Sequence, residues 1–179
     1  MAGFGGQGIM TAGQLLSQAA LMEDKQVVWL PSYGPEMRGG TAYCTVVISD
    51  SRIGSPIISN PSCVCAFNRP SFDKFSPRIK PGGLLLVNSS LISVQTDRKD
   101  ITEILIPAND IAQKVGNIRA TNLAVLGAFV AASKVVKFEN VIEAVKYKLG
   151  KKADVLDLNL KVLEEGHKFG LQVKEAKAV

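Results

Sequence analysis

Residues 3–22 read GFGGQGIMTAGQLLSQAALM, and the fold turns on how they are read. Gly3, Gly5 and Gly8 satisfy G-x-G-x-x-G, Gly6 adds a fourth glycine, and Gln7 lies between them. Apolar residues then recur at Ile9, Ala12, Leu15, Leu16, Ala19, Ala20 and Met22, which predicts a helix over residues 8–22 with one buried face. A glycine loop opening straight onto a helix suits an anion. Glycines let the backbone come close, and the unpaired N–H groups of the first turn point at negative charge. The same motif is also compatible with a tight turn that holds nothing. The phosphate-binding form follows a strand, yet only Met1 and Ala2 precede Gly3, so that strand is expected to be absent or supplied from elsewhere. The dinucleotide form also needs a carboxylate at the end of the second strand. Here that strand ends WLPSYG, with Ser32 and Tyr33 in the acid's place, while Glu23 and Asp24 fall before it. A free NAD site is disfavoured.

Outward from this stretch, QVVWLP (26–31) is continuously apolar and predicts a central strand covered on both faces. TAYCTVVIS (41–49) is β-branched and aromatic, a second strand. CVCAF (63–67), LLLVN (84–88, after the turn KPGG) and ITEILIP (101–107) predict three more. From about Ala108 the pattern is helical: NDIAQKV, TNLAVLGAFVAAS, ENVIEAVKYKLG and ADVLDLNLKVLEEG. Gly150 and Gly166 read as stops for the last two. About ten residues separate the first two strands, too few for a helical crossover. The expectation is one domain, residues 1–179, of the three-layer α/β/α Rossmann-like kind. Its sheet is mixed but mostly parallel, and its C-terminal third is helical.

Composition excludes several function classes. With 179 residues and 46% hydrophobic content the chain can build one sizeable core. Its longest apolar run, LAVLGAFVAAS (123–133), is too short to span a bilayer, and the glycine-rich start lacks the basic region of a signal peptide. Three cysteines, Cys44, Cys63 and Cys65, lie in strand-like runs. An odd count argues against a disulfide framework and for a reducing, cytoplasmic setting. The formal charge is +5, but Lys and Arg exceed Asp and Glu only by 11 to 9 through Ser133 and by 10 to 7 beyond it. Neither half carries a basic stripe with interleaved aromatics, so no nucleic-acid partner is expected. His167, the single histidine, is expected at a helix end before Gly170, solvated. Cys63 and Cys65 point the same way along a strand and read as buried thiols rather than metal ligands. Neither a catalytic residue nor a metal site is assigned, because no nucleophile, base and orienting group can be assembled.

The second motif is SYGPEMRGG (32–40), which places Tyr33, Glu36, Met37 and Arg38 among Gly34, Pro35, Gly39 and Gly40. GFGGQGIMTAGQLL, SYGPEMRGGTAYCTVVISD with IGSPII, PGGLLLVNSSLI and NLAVLGA together resemble the γ subunit of 2-oxoacid:ferredoxin oxidoreductases. The SYGPEMRGG form is nearer the 2-oxoglutarate and branched-chain types than the pyruvate type. Two departures stand out: the missing strand before Gly3, and Tyr43 where the family has an asparagine. The resemblance implies a part of a larger enzyme. Such complexes decarboxylate a 2-oxoacid on thiamine diphosphate with Mg2+, pass electrons through iron–sulfur clusters to ferredoxin, and transfer the acyl group to coenzyme A. Companion α, β and ferredoxin-like δ subunits would hold those cofactors; this chain would hold none alone and be inactive alone. It implies that Gly3, Gly5, Gly6, Gln7 and Gly8 face coenzyme A, a phosphate or a partner. Tyr33, Glu36, Met37, Arg38, Gly39, Gly40 and Asn122 would meet the partner subunits, Arg38 offering a fork of donors to a carboxylate or phosphate.

The residues alone leave two further function classes open. One is a stand-alone nucleotide-binding enzyme on the glycine loop. The other is an interaction or scaffold module whose loop holds nothing.

Overall fold

A computed structural model describes residues 1–34, 40–150 and 153–176. Its sheet, among these residues, has the order β2-β3-β1-β4-β5-β6, with β1 Ala2–Phe4, β2 Gln26–Tyr33, β3 Thr41–Ser49, β4 Cys63–Ala66, β5 Leu84–Asn88 and β6 Thr102–Ile106. β1, β4, β5 and β6 run parallel, while β3 is antiparallel to both β1 and β2. The sheet is thus mixed and mostly parallel, as expected. β2 and β3 pair antiparallel along the length of both strands, from Gln26 with Ser49 to Tyr33 with Ala42.

Alternation along the strands divides the core. Cys44, Cys65, Leu86 and Ile104 point to one face, beneath α1 (Ile9–Leu21), α3 (Ala108–Val115) and α4 (Thr121–Ser133). Val64, Ala66, Leu85 and Val87 point to the other, where they meet Phe72 and Ile79 around the short helix α2 (Arg69–Phe75). The three layers are unequal. The first face carries a second tier, α5 (Phe138–Leu149) and α6 (Ala153–Ala176), with α6 lying along α4. That explains α4's composition: Asn122 through Ala131 are all buried, since the helix is enclosed by sheet on one side and helices on the other.

Four readings of the sequence need correction. A strand does precede the glycine loop: Ala2–Phe4 supply it, three residues at the sheet centre and too short to show any period. β2 is an edge strand rather than a central one, with Leu30 37% exposed. Pro31 carried that signal, because a residue without an N–H is tolerated where one side of the strand has no ladder to join. Gly166 does not stop α6, which continues to Ala176. A Cβ on Gly166 would overlap the Ala124 carbonyl oxygen, so this glycine lets two helix backbones touch. His167 consequently lies inside α6, half-buried, its ring stacked on Phe138 with centroids 3.8 Å apart and planes 17° from parallel. α2 was not anticipated, although Asn68 caps it by accepting from the Ser71 N–H at 2.9 Å and Pro70 sits in its first turn.

Candidate functional site

β1 ends at Phe4 beside β4, and the chain turns there into α1 through residues 5–8. In an open α/β sheet this is where ligands collect. The chain leaves β1 toward β2 on one side while β4 lies on the other, the strand arrangement beside which open α/β sheets form a ligand crevice at the carboxyl ends of their strands. Several bonds set the loop's shape. The Gln7 N–H donates to the Phe4 carbonyl (3.1 Å), and the Phe4 N–H donates to Gln7 Oε1 (2.7 Å). Gln7 Nε2 reaches the Phe67 carbonyl only at 3.5 Å. The side-chain oxygen of Gln7 is therefore engaged within the loop, leaving its amide nitrogen as the freer donor. Gly3 sits under it: a Cβ there would come 2.5 Å from Gln7 Oε1.

Gly6 and Gly8 are glycine for different reasons. Both have φ in the left-handed region, +100° and +73°. Around Gly6 none of the described residues lies within 4 Å of where a Cβ would stand, so its outer side is open toward them. At Gly8 a Cβ would come 2.7 Å from Asn122 Cγ and Nδ2. Asn122, only 6% exposed at the start of α4, donates from Nδ2 to the Gly8 carbonyl at 3.1 Å. It stands inside the fold as a strut under the loop. Gly8 is also the N-cap of α1, whose first turn has neither a side-chain cap nor an acidic residue. Within that first turn nothing offsets the positive end of the helix dipole.

The structure fastens the second motif to this loop. Tyr33 pairs with Ala42 at the end of the hairpin, and the Gly34 N–H donates to the Thr41 carbonyl at 2.8 Å. The Gly40 carbonyl accepts from the Gly5 N–H at 2.9 Å. Residues some 35 positions apart in sequence thus become neighbours. Tyr33 is 52% exposed. Glu36, Met37, Arg38 and Gly39 lie outside the described residues. Tyr43 is not on this rim: its ring packs against Phe75 with centroids 5.2 Å apart, on the α2 face.

Sequence reading missed a row of asparagines along the same edge. Asn68 follows β4 and Asn88 ends β5, both buried. Asn88 Nδ2 donates to Asn109 Oδ1 at 2.9 Å, yet its Oδ1, like Asn68 Nδ2, has no partner among the described residues. An asparagine closing an all-apolar strand, as in LLLVN, was the available sign.

Among the described residues, His, Cys, Asp and Glu nowhere gather in threes that could hold a metal ion. Burial pushes the Cys44 and Cys63 thiols up from their ordinary range and Cys65 up to about 12, so all three stay protonated, Cys44 and Cys65 in the core and Cys63 half-buried against it. That chemistry does not fit ligands for an iron–sulfur cluster. Burial lowers the His167 pKa, and the ring faces Phe138, away from the crevice. Glu23 and Lys25 are structural as well: Glu23 Oε1 accepts from the Lys137 N–H (2.6 Å) and Asn140 Nδ2 (3.0 Å), pinning the turn after α1 to α5.

Residues 1–169 match the family model described as pyruvate ferredoxin/flavodoxin oxidoreductase. The chain is 40% identical over 167 residues to the ketoisovalerate oxidoreductase subunit VorA of Methanothermobacter marburgensis. That match covers 93% of this chain but 35% of the relative, so the chain spans about a third of that relative's length. It is 37% identical over 150 residues to the 2-oxoglutarate synthase subunit KorC of Methanocaldococcus jannaschii, covering 81% of this chain and 79% of that one. Among solved structures it is similar to the keto/oxoacid ferredoxin oxidoreductase γ subunit of Geobacter sulfurreducens, with TM-score 0.82, 32% identity and 96% of each chain covered.

Proposed function

The chain belongs to the pyruvate ferredoxin/flavodoxin oxidoreductase family, and from that membership we propose that it is the γ subunit of a 2-oxoacid:ferredoxin oxidoreductase. In the assembled enzyme a 2-oxoacid and coenzyme A become acyl-coenzyme A and carbon dioxide while electrons pass to ferredoxin. The companion α, β and ferredoxin-like δ subunits carry thiamine diphosphate with its Mg2+ and the iron–sulfur clusters. Among the described residues no three His, Cys, Asp or Glu gather that could hold a metal ion. The free cysteines support a reducing, cytoplasmic compartment, and no helix among the described residues is long and apolar enough to cross a membrane.

This chain's own task is to close the coenzyme A side of the active site. The observation that carries this reading is the Gly5–Gly40 hydrogen bond, which sets the glycine loop and the base of the second loop side by side at the crevice. The open flank at Gly6 and the uncapped start of α1 would receive a phosphate of coenzyme A through backbone N–H groups. Arg38 would add a charged fork to a carboxylate or phosphate across the subunit boundary. None of these groups breaks a bond; they bind, orient and exclude water.

The test is the Michaelis constant for coenzyme A in the complex carrying Gly6→Val. A side chain there fills the open flank. Loss of one hydrogen bond to a charged group is worth about 1.5 kcal/mol, a roughly tenfold rise in KM. An assembled complex with unchanged KM and rate contradicts the assignment.

A further inference from the structure

The two faces of the β2–β3 pair are unequally covered. Val27 and Trp29 on β2, and their partners Ile48 and Val46 on β3, turn to the first face and pack into the core beneath α1. By strand alternation Val28 and Leu30, with their partners Val47 and Thr45, turn to the other face. There Val28, Leu30 and Val47 join neither core cluster; Leu30 is 37% exposed and the two valines are half-buried. No helix among the described residues lies over them. α1 and α3 to α6 belong to the first face, and residues 50–62, between β3 and β4, contain no helix. α2 is on the right face but packs on β4 and β1, and its reach ends where Phe75 meets the Tyr43 ring.

We propose that this half of the sheet is the docking surface for one amphipathic helix of a companion subunit, laid across β2 and β3 opposite α1. On the γ-subunit assignment above, it is the surface by which the chain is held in the complex. Three observations select the occupant. The first is width: two strands about 4.8 Å apart make a strip that one helix of about 10 Å covers, and α1 packs on this same pair from the first face. The second is composition, since Val28 stands opposite Val47 with Leu30 two positions along, an apolar stripe that needs an apolar stripe against it. The third is charge. Lys74 Nζ stands 5.2 Å from the Tyr43 ring centroid and Arg78 Cζ 6.0 Å from that of Phe75, so both cations border the strip on its α2 side. Neither is in an ion pair among the described residues, while Asp73 on α2 is taken by Arg69 at 2.8 Å.

The docked helix therefore carries apolar residues toward Val28, Leu30 and Val47 and carboxylates on the flank nearest α2. This chain's own net charge of +5 argues for a different chain as the source of that acid. The two parts of the surface act differently. The apolar strip holds the helix once it is seated, and the bordering cations steer it in, an attraction that salt screens. Neither part touches the glycine loop, so an altered strip changes assembly and leaves the assembled coenzyme A site as it was.

The test uses the chain co-produced with its companion subunits. Leu30→Arg and Lys74→Glu are each expected to weaken its binding to them by about tenfold or more. The melting temperature of the chain alone and the coenzyme A KM of whatever complex still assembles are expected to stay unchanged. High salt should shrink the Lys74→Glu effect and leave the Leu30→Arg effect in place. A benzophenone side chain in place of Leu30 is expected to cross-link to a companion's helix that bears acidic residues along one flank. Undiminished binding by Leu30→Arg, beside normal wild-type assembly, overturns the docking surface and leaves the γ-subunit assignment standing. Undiminished binding by Lys74→Glu overturns the acidic flank. Weakened binding that tracks a lowered melting temperature makes Leu30 part of the fold and overturns the surface. Cross-links to a second copy, to another segment of this chain, or to a companion's strand or loop overturn the helix as occupant. A wild-type chain that binds no companion overturns the assignment and the surface together.

Discussion

Replacing Gly8 by alanine probes the strut that holds the glycine loop. Two costs add. An alanine at φ +73° sits in the left-handed region, which costs about 1–2 kcal/mol. Its Cβ also comes 2.7 Å from Asn122 Cγ and Nδ2, so Asn122 must move off the Gly8 carbonyl. Because Asn122 is 6% exposed, its amide is then left buried and unmatched, at about 1–3 kcal/mol. Gly8→Ala should therefore cost about 2–5 kcal/mol in all, above Gly6→Ala, which has the same backbone strain of about 1–2 kcal/mol and no steric neighbour among the described residues. Urea unfolding of each variant, followed by circular dichroism at neutral pH, measures both. A double-mutant cycle sharpens the comparison. In an Asn122→Ala background the contacts with Cγ and Nδ2 are gone and only Cβ remains, at 3.1 Å, so Gly8→Ala should cost little beyond the strain, leaving a coupling of about 1–3 kcal/mol. Gly8→Ala no worse than Gly6→Ala, or strictly additive with Asn122→Ala, refutes the strut.

Two further outcomes follow from the same geometry. His167 has its pKa lowered by burial, so below about pH 6.5 the unfolded chain takes up the proton more readily than the folded one. Stability is predicted to decline as pH falls from 7.5 to 5.5, and His167→Phe, which keeps a ring against Phe138, should flatten that decline; melting temperatures with identical pH slopes would exclude His167 as its source. Arg38→Ala is predicted to weaken co-purification with the partner subunits or to slow turnover, and a normally assembled, fully active variant would remove Arg38 from the interface.

How far the sequence carried the structure depends on what each segment had to satisfy. β5 and α4 were legible because each is buried on all sides, and uninterrupted apolar residues state that directly. The glycine loop was legible because positive φ at Gly6 and Gly8 leaves little choice of residue. β1 was not, since three residues flanked by glycine carry no periodicity, and its place at the sheet centre is set by β3 and β4. Gly166 misled because a glycine that ends a helix and one that admits a neighbouring backbone look identical in one dimension. Pro31 was a legible sign of the sheet edge, outweighed by the apolar VVWL before it. At the site, the two glycine-rich motifs were each visible. Their contact through Gly5 and Gly40 was not, because the strand order that makes them neighbours is a property of the whole sheet.

The central claim is that this chain completes an active site whose cofactors lie on other subunits. The most direct measurement is reduction of a viologen dye by the complex produced with and without this chain, assayed with a 2-oxoacid and coenzyme A. Activity that needs both substrates and this chain, and is absent from the chain alone, is the predicted result. Full oxoacid- and coenzyme A-dependent activity without this chain, or turnover by the chain alone, would contradict it.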